Sequence, residues 1–471
     1  MKKVLRSTVA LAMLTGAVAS TAWGETLSNT WAVNAGFTGT ANKVVTDSAG
    51  NVYVTGSTYS ADTNPVTSTA DVLTVKYDSK GNKIWEASYN SPFNMGADSG
   101  NNLVVDAAGN VYVAGSSFDS PSYYLNACAI VIKYSPTGGQ LWAARYPDSV
   151  FGSGSGALDV DAEGNVYTAL TTIYDAAPNS TAIDGVVVKY DANGNRVWKR
   201  LLDIGHYGDD WATKIKVKDG YAYAAGTFNG GDHGYGDNWR NSMVWKLNAA
   251  DGQLAWAAVH DGGGADYASD FTVDGQGNVY IATMSDRLLT GTTMWDTYLY
   301  DMATAKFNAS GQLVWNSRYN NNGAGNHSPS SIAVDASGNV YVTGSSDGDG
   351  TSGKDIATVK YSGADGSQLW VQRYNGTANG DDAGGTVLVD SKGNVCVAAT
   401  SLNEGTGLDY TVIRYDGAGN LLSSALYNGS ANGNDSLASI ALDAKNRIYV
   451  TGTSKDANGI PQLTTAKFEA N

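Results

Sequence analysis

One seven-residue pattern constrains this chain more than any other feature of it. Asp-x-x-Gly-Asn-Val-Tyr begins at Asp47, Asp106, Asp161, Asp274 and Asp335, with variant copies at Asp390 and Asp443 and a degenerate one starting at Lys218. Each copy is followed by a second signature whose basic residue, usually before Tyr or Phe, is Lys76, Lys133, Lys189, Lys246, Lys306, Lys360, Arg414 or Lys467. Copies recur about every 53 to 60 residues, a period that belongs to arrays, solenoids and propellers. Eight such units fill the chain beyond its N-terminal segment.

Within a unit every local signal is β. In the copy at Asp335, Ser331 to Asp335 reads as a short strand, Ala336 to Asn339 as a tight turn, and Val340 to Gly344 as a second strand. Asp355 to Tyr361 alternates and is β-branched, Gly363 to Gly366 makes another turn, and Leu369 to Tyr374 carries Trp370 in a fourth strand. Four antiparallel strands per unit make a propeller blade. The eighth unit lacks the Trp strand after Lys467, while an orphan Trp segment, Asn29-Thr30-Trp31-Ala32-Val33, precedes the first unit. The expectation is an all-β, eight-bladed β-propeller of four-stranded antiparallel blades, closed by an N-terminal outer strand completing the last blade.

The pairing of Asp47 to Gly56 with Thr74 to Trp85 resembles the bacterial β-propeller repeat family of SBBP type, along essentially the whole chain after residue 24. That family implies exported proteins and carries no set of catalytic residues. A weaker similarity, through the Gly81 to Trp85 strand ending, is to the eight-bladed quinoprotein-like propellers and the outer-membrane-assembly propellers. The quinone-cofactor enzymes of that group have an adjacent cysteine pair, whereas Cys128 and Cys396 fall in the second and seventh units.

Residues 1–24 read as a secretory signal: Lys2, Lys3 and Arg6 precede an apolar run from Val9 to Ala19, and small residues follow at Ser20, Ala22 and Gly24. The run is shorter than a bilayer span needs. Residues 25–471 then form one exported propeller domain, secreted or periplasmic and monomeric. The formal charge is −15, which repels phosphate backbones and anionic headgroups and argues against nucleic-acid partners. Two cysteines in 471 residues supply neither a disulfide framework nor a thiolate-rich metal site.

Two repeated residue sets read as structural. The strand-closing tryptophans, among them Trp31, Trp85, Trp142, Trp198, Trp256, Trp315 and Trp370, are expected to fill space between neighbouring blades, with Ser423 at the seventh position. The repeated lysine is expected to pair with a repeat aspartate such as Asp335 or Asp390. A second acid recurs eight residues before the hairpin aspartate, at Asp98, Asp210, Asp266, Asp382 and Asp435, with His327 in the same place in one unit. These carboxylates either accept backbone N–H groups in their own turns or converge at a channel mouth to hold calcium, the one cofactor the sequence suggests.

Blade-to-blade differences should make the site, on the face formed by the variable connections after second and fourth strands. Those connections swell in the fourth and fifth units around His206, Tyr207 and Trp211, then Asp232, His233, Tyr235, Asp237, Trp239 and Arg240, then Trp295. Aromatic faces flanked by acids, amide groups and arginine suit a glycan, a peptide or a protein surface. No G-x-S-x-G elbow, H-E-x-x-H or Walker loop occurs. The sequence therefore points to an exported, non-catalytic binding module, against the alternatives of a periplasmic propeller enzyme and a self-assembling cell-surface component.

Overall fold

The computed structural model describes residues 25–59, 70–91, 97–118, 127–146, 156–173, 183–202, 210–229, 240–287, 299–323, 325–348 and 353–471. Residues 1–24, and with them the expected signal segment, lie outside this set. Among the described residues the fold is all-β, in seven antiparallel sheets, and no helix is long and apolar enough to cross a membrane. Six sheets have four strands in sequence order, spanning residues 99–146, 157–201, 211–260, 266–319, 327–374 and 383–427. The seventh has seven strands, because Leu27–Thr46 is one long strand. Its first part pairs with Pro461–Ala470, from Leu27 opposite Ala470 to Thr38 opposite Gln462. Its second part pairs with Val52–Tyr59, from Gly39 opposite Thr58 onward.

Burial shows how the sheets pack. Second and third strands such as Val52–Tyr59 and Ala70–Tyr77 are buried almost throughout, whereas the fourth, Lys83–Tyr89, alternates exposed and covered residues. A strand covered on both faces belongs to a sheet with a neighbour on each side. The core accordingly lies between sheets: Tyr53 and Val72 pack with Leu103, Val113, Ile130 and Ile132 of the next one. First strands lie against one another in succession, Leu27–Thr46 beside Ser99–Val105, then Ala157–Val160, Trp211–Lys218, Asp266–Val273, His327–Val334, Ala383–Val389 and Ser436–Leu442, which packs back on Leu27–Thr46.

The heptapeptide folds as it does because each of its polar residues has a partner. Asp335 Oδ1 accepts the backbone N–H groups of Ser337 (2.9 Å) and Asn339 (2.8 Å), and Oδ2 accepts the Asn339 amide (2.8 Å) and the Tyr341 hydroxyl (2.9 Å). Gly338, at φ 82°, supplies the left-handed residue the turn needs. Burial raises the Asp335 pKa, but the hydrogen bonds from Asn339 and Tyr341 outweigh it and hold the carboxyl below its ordinary value.

The same tyrosine corrects the expected lysine–aspartate pair. Lys360 Nζ lies 5.0 Å from the centre of the Tyr341 ring and donates to the Gly417 carbonyl of the next sheet (2.7 Å). Lys133, Lys189 and Lys306 repeat both contacts on Ala192, Ala249 and Gly363. The phenol hydroxyl, locked six residues along in the same sheet, takes the aspartate oxygen, so the ammonium bridges blades instead. A direct pair forms where the tyrosine is absent: Cys396 stands in its place, and Arg414 reaches Asp390 at 3.2 Å.

Tryptophan completes this joint. Trp142 and Trp370 donate to the Ala192 and Gly417 carbonyls that the lysines use, at 3.0 and 3.3 Å. Each indole lies against a glycine of that turn, as Trp85 does against Gly138. Ser423 replaces tryptophan at the one junction where the neighbouring sheet offers no such turn: Thr26 and Asn471 there exchange backbone hydrogen bonds, and Glu25 meets Ser423 and Arg414.

Two glycines separate turn strain from joint packing. Gly138 and Gly338 both have positive φ, but a Cβ on Gly138 would sit 2.8 Å from the Trp85 ring, whereas one on Gly338 meets nothing within 4 Å. Gly338→Ala should cost about 1–2 kcal/mol, the left-handed penalty alone. Gly138→Ala should cost clearly more, and chemical denaturation of the two variants checks the difference.

Candidate functional site

The end of the strands opposite the hairpin turns carries the residues in question. Trp211 opens one first strand and Arg240 the third strand of the same sheet. The Arg240 guanidinium lies 4.8 Å from the centre of the Trp211 ring and 5.6 Å from that of Tyr267, whose hydroxyl it reaches at 3.5 Å. Tyr267 meets Tyr300 edge to face, with ring centres 6.2 Å apart. All four side chains are partly exposed. The result is a row of alternating flat and charged surfaces crossing from the sheet 211–260 to the sheet 266–319, with the cation held over π-faces.

His206, Tyr207, Asp232, His233, Tyr235, Asp237, Trp239 and Trp295 lie outside the described residues, so of the expected aromatic set the structure joins Trp211 to Arg240. Tyr267 was missed because it sits on a strand rather than in a swollen connection. The signal available was its place directly after Asp266 in a unit already marked by arginine and aromatic residues.

Beside this row is a buried charged cluster. Asp301 is held by Arg287 at 2.5 Å and by Arg318 at 3.3 Å, and Arg318 also donates to Ser285 (2.6 Å) and to the Gly262 carbonyl (2.8 Å). His260 is 2% exposed and stands 3.8 Å from Asp266, at the position that Tyr89, Tyr319 and Tyr374 occupy in other sheets. Burial pushes the Asp266 carboxyl up, against the pull of Ser285, Gly262, His260 and Arg318.

The repeated acids Asp98, Asp210, Asp266, Asp382 and Asp435 are all buried, and each accepts a backbone N–H. Asp382 takes Gly376 and Leu402, both at 2.8 Å, while its own N–H donates to the Lys354 carbonyl of the preceding sheet (2.6 Å). Each of the five thus ties down its own connection. Among the described residues no group of three or more His, Cys, Asp or Glu side chains is placed to hold a metal ion. The expected calcium ring is not assembled, because the carboxylate oxygens already serve backbone donors.

At the hairpin end, a cavity of about 330 Å³ lies between the turns of two sheets, lined by Asp274, Gln276, Asp335 and Gly338. Its carboxylates are occupied within their own turns.

Fold and repeat together define the chain as a β-propeller. Its repeats match the family model of the beta-propeller repeat (SBBP) over residues 36–62 and 317–350. No curated protein sequence matches the chain. Among solved structures it is similar to BamB from Moraxella catarrhalis, at 14% identity, covering 94% of this chain and 99% of that one with a TM-score of 0.51. It is also similar to quinohemoprotein alcohol dehydrogenase from Comamonas testosteroni, at 14% identity, 94% and 76% coverage and a TM-score of 0.49. At such identities the likeness is one of fold.

The two kinds of aspartate titrate in opposite senses. Burial raises Asp382 and Asp435 to about 6. The folded state therefore holds more protons than the unfolded one between the ordinary value of 3.8 and about 6, so acidifying from pH 7 towards 5 should stabilise the protein. The hairpin aspartates, such as Asp335 and Asp274, are lowered, and their contribution is lost as pH falls below the ordinary value. A melting-temperature profile should rise from pH 7.5 to about 5 and fall below about 3.5.

Proposed function

We propose that this protein is an exported, non-catalytic binding module: a monomeric ring of eight blades whose ligand face lies over the sheets 211–260 and 266–319. The observation that carries the ligand face is the Trp211–Arg240–Tyr267–Tyr300 row. Flat π-surfaces at one spacing, with a guanidinium between them, suit the apolar faces of sugar rings or the planar groups of a peptide, and the acids nearby fix orientation. The connections on either side of the row contain the further aromatic residues expected from the sequence.

The eight-blade reading is supported by the strand Leu27–Thr46, which serves the last repeat with one half and the first with the other. Such a strand leaves no open edge between first and last units. The signal-like segment at 1–24 supports export.

Two measurements test the proposal. Tryptophan-fluorescence titration with oligosaccharide and peptide panels should detect saturable binding that the Trp211→Ala/Tyr267→Ala variant weakens at least tenfold with little change in melting temperature. Undiminished binding in that variant would move the ligand face elsewhere. Deleting residues 25–38 should lower the melting temperature and cause concentration-dependent association through the exposed Pro461–Ala470 edge, read by light scattering.

A further inference from the structure

The first strands carry charges that the repeat does not require. The position four residues before the hairpin aspartate is neutral in five units, as at Ala157 and Ser331, but is Lys43, Lys214 and Asp270 in the other three. Lys216 follows two residues after Lys214, on the same strand. Lys43 stands on Leu27–Thr46 and the other two lysines on Trp211–Lys218, and the first strands Ser99–Val105 and Ala157–Val160 intervene around the succession. Lys43 nevertheless feels both Lys216 and Lys214, together with Asp270. Those charges meet across the axis that the first strands surround.

The acids nearby are already engaged. Asp270 lies 3.6 Å from Lys214 and accepts the Ile332 N–H at 3.1 Å. Asp159, close to Lys216, accepts the Val217 N–H at 2.7 Å. Lys43 has no hydrogen-bond acceptor among the described residues. Burial first, then Lys216 and Lys214, lower its ammonium to about 8, with Asp270 opposing. Three ammonium groups thus gather, in a chain of formal charge −15, where two carboxylates already serve backbone N–H groups.

We propose that the central channel is a binding site for a small anion carrying at least two negative charges, of the oxyanion or dicarboxylate class, held by Lys43, Lys214 and Lys216. Ammonium groups offer several donors each, and protein walls focus their field on an occupant. A monovalent ion gains less from the same field. The site is separate from the aromatic row and stands or falls independently of it.

Sulfate is the probe, because its charge is constant over the range in which Lys43 titrates. Calorimetric titration of the full chain, at ionic strength fixed with sodium chloride, should show saturable binding of one sulfate. Affinity should fall about tenfold from pH 7 to pH 9 as a group near 8 loses its proton. Lys43→Gln should weaken binding at least tenfold and remove the pH dependence. Lys216→Gln, at an exposed position, should weaken it several-fold and guards against a folding defect in the first variant. Absence of saturable binding up to tens of millimolar, or equal binding in both variants, would overturn the proposal.

Discussion

Each sheet is fastened to the next at one backbone carbonyl, and the rest of the structure depends on that joint. The carbonyl of a turn receives an indole N–H and an ammonium from the preceding sheet, as Ala192 does from Trp142 and Lys133. The ammonium also lies over the tyrosine of its own sheet, whose hydroxyl is fixed by the hairpin aspartate. Burying an ammonium is costly unless it is compensated, and here a carbonyl and a π-face share the task. Glycine in the receiving turn lets the indole come close. The repeat is therefore a set of coupled residues rather than a list of separate preferences.

The exceptions follow the same logic. Loss of the tyrosine at Cys396 leaves an Asp390 oxygen without its hydroxyl donor, and Arg414, longer and forked where other sheets have lysine, takes it up. Loss of tryptophan at Ser423 coincides with the junction where Thr26 and Asn471 meet and no turn is present to receive an indole. Both substitutions keep the local polar groups satisfied.

The two ends of the strands divide the labour. At the hairpin end, aspartates with lowered pKa values close uniform turns whose polar groups are satisfied internally. At the other end, buried aspartates with raised pKa values hold connections that differ from sheet to sheet. Variation there leaves the joints intact, and it is there that Arg240 lies between Trp211 and Tyr267. Structural repetition and functional variation can coexist because they occupy opposite ends.

The four-stranded unit and its antiparallel order were legible in the sequence, since turn chemistry and β-branched alternation are local and the period repeats them. Two of the ten expected ligand-face residues, Trp211 and Arg240, are joined in the structure, and Tyr267 entered only through three-dimensional proximity. Sequence separation says nothing about which of several donors reaches an acceptor first. That is why the lysines were matched to aspartates that tyrosine hydroxyls hold, and why the five buried acids suggested a metal ring although backbone N–H groups occupy them. The linear chain determined which residues recur and hence the sheets they build. Only the tertiary structure decided their partners, because those lie one repeat away for the joints and across the axis for Lys43, and because hydrogen-bond geometry, not composition, chooses among competitors.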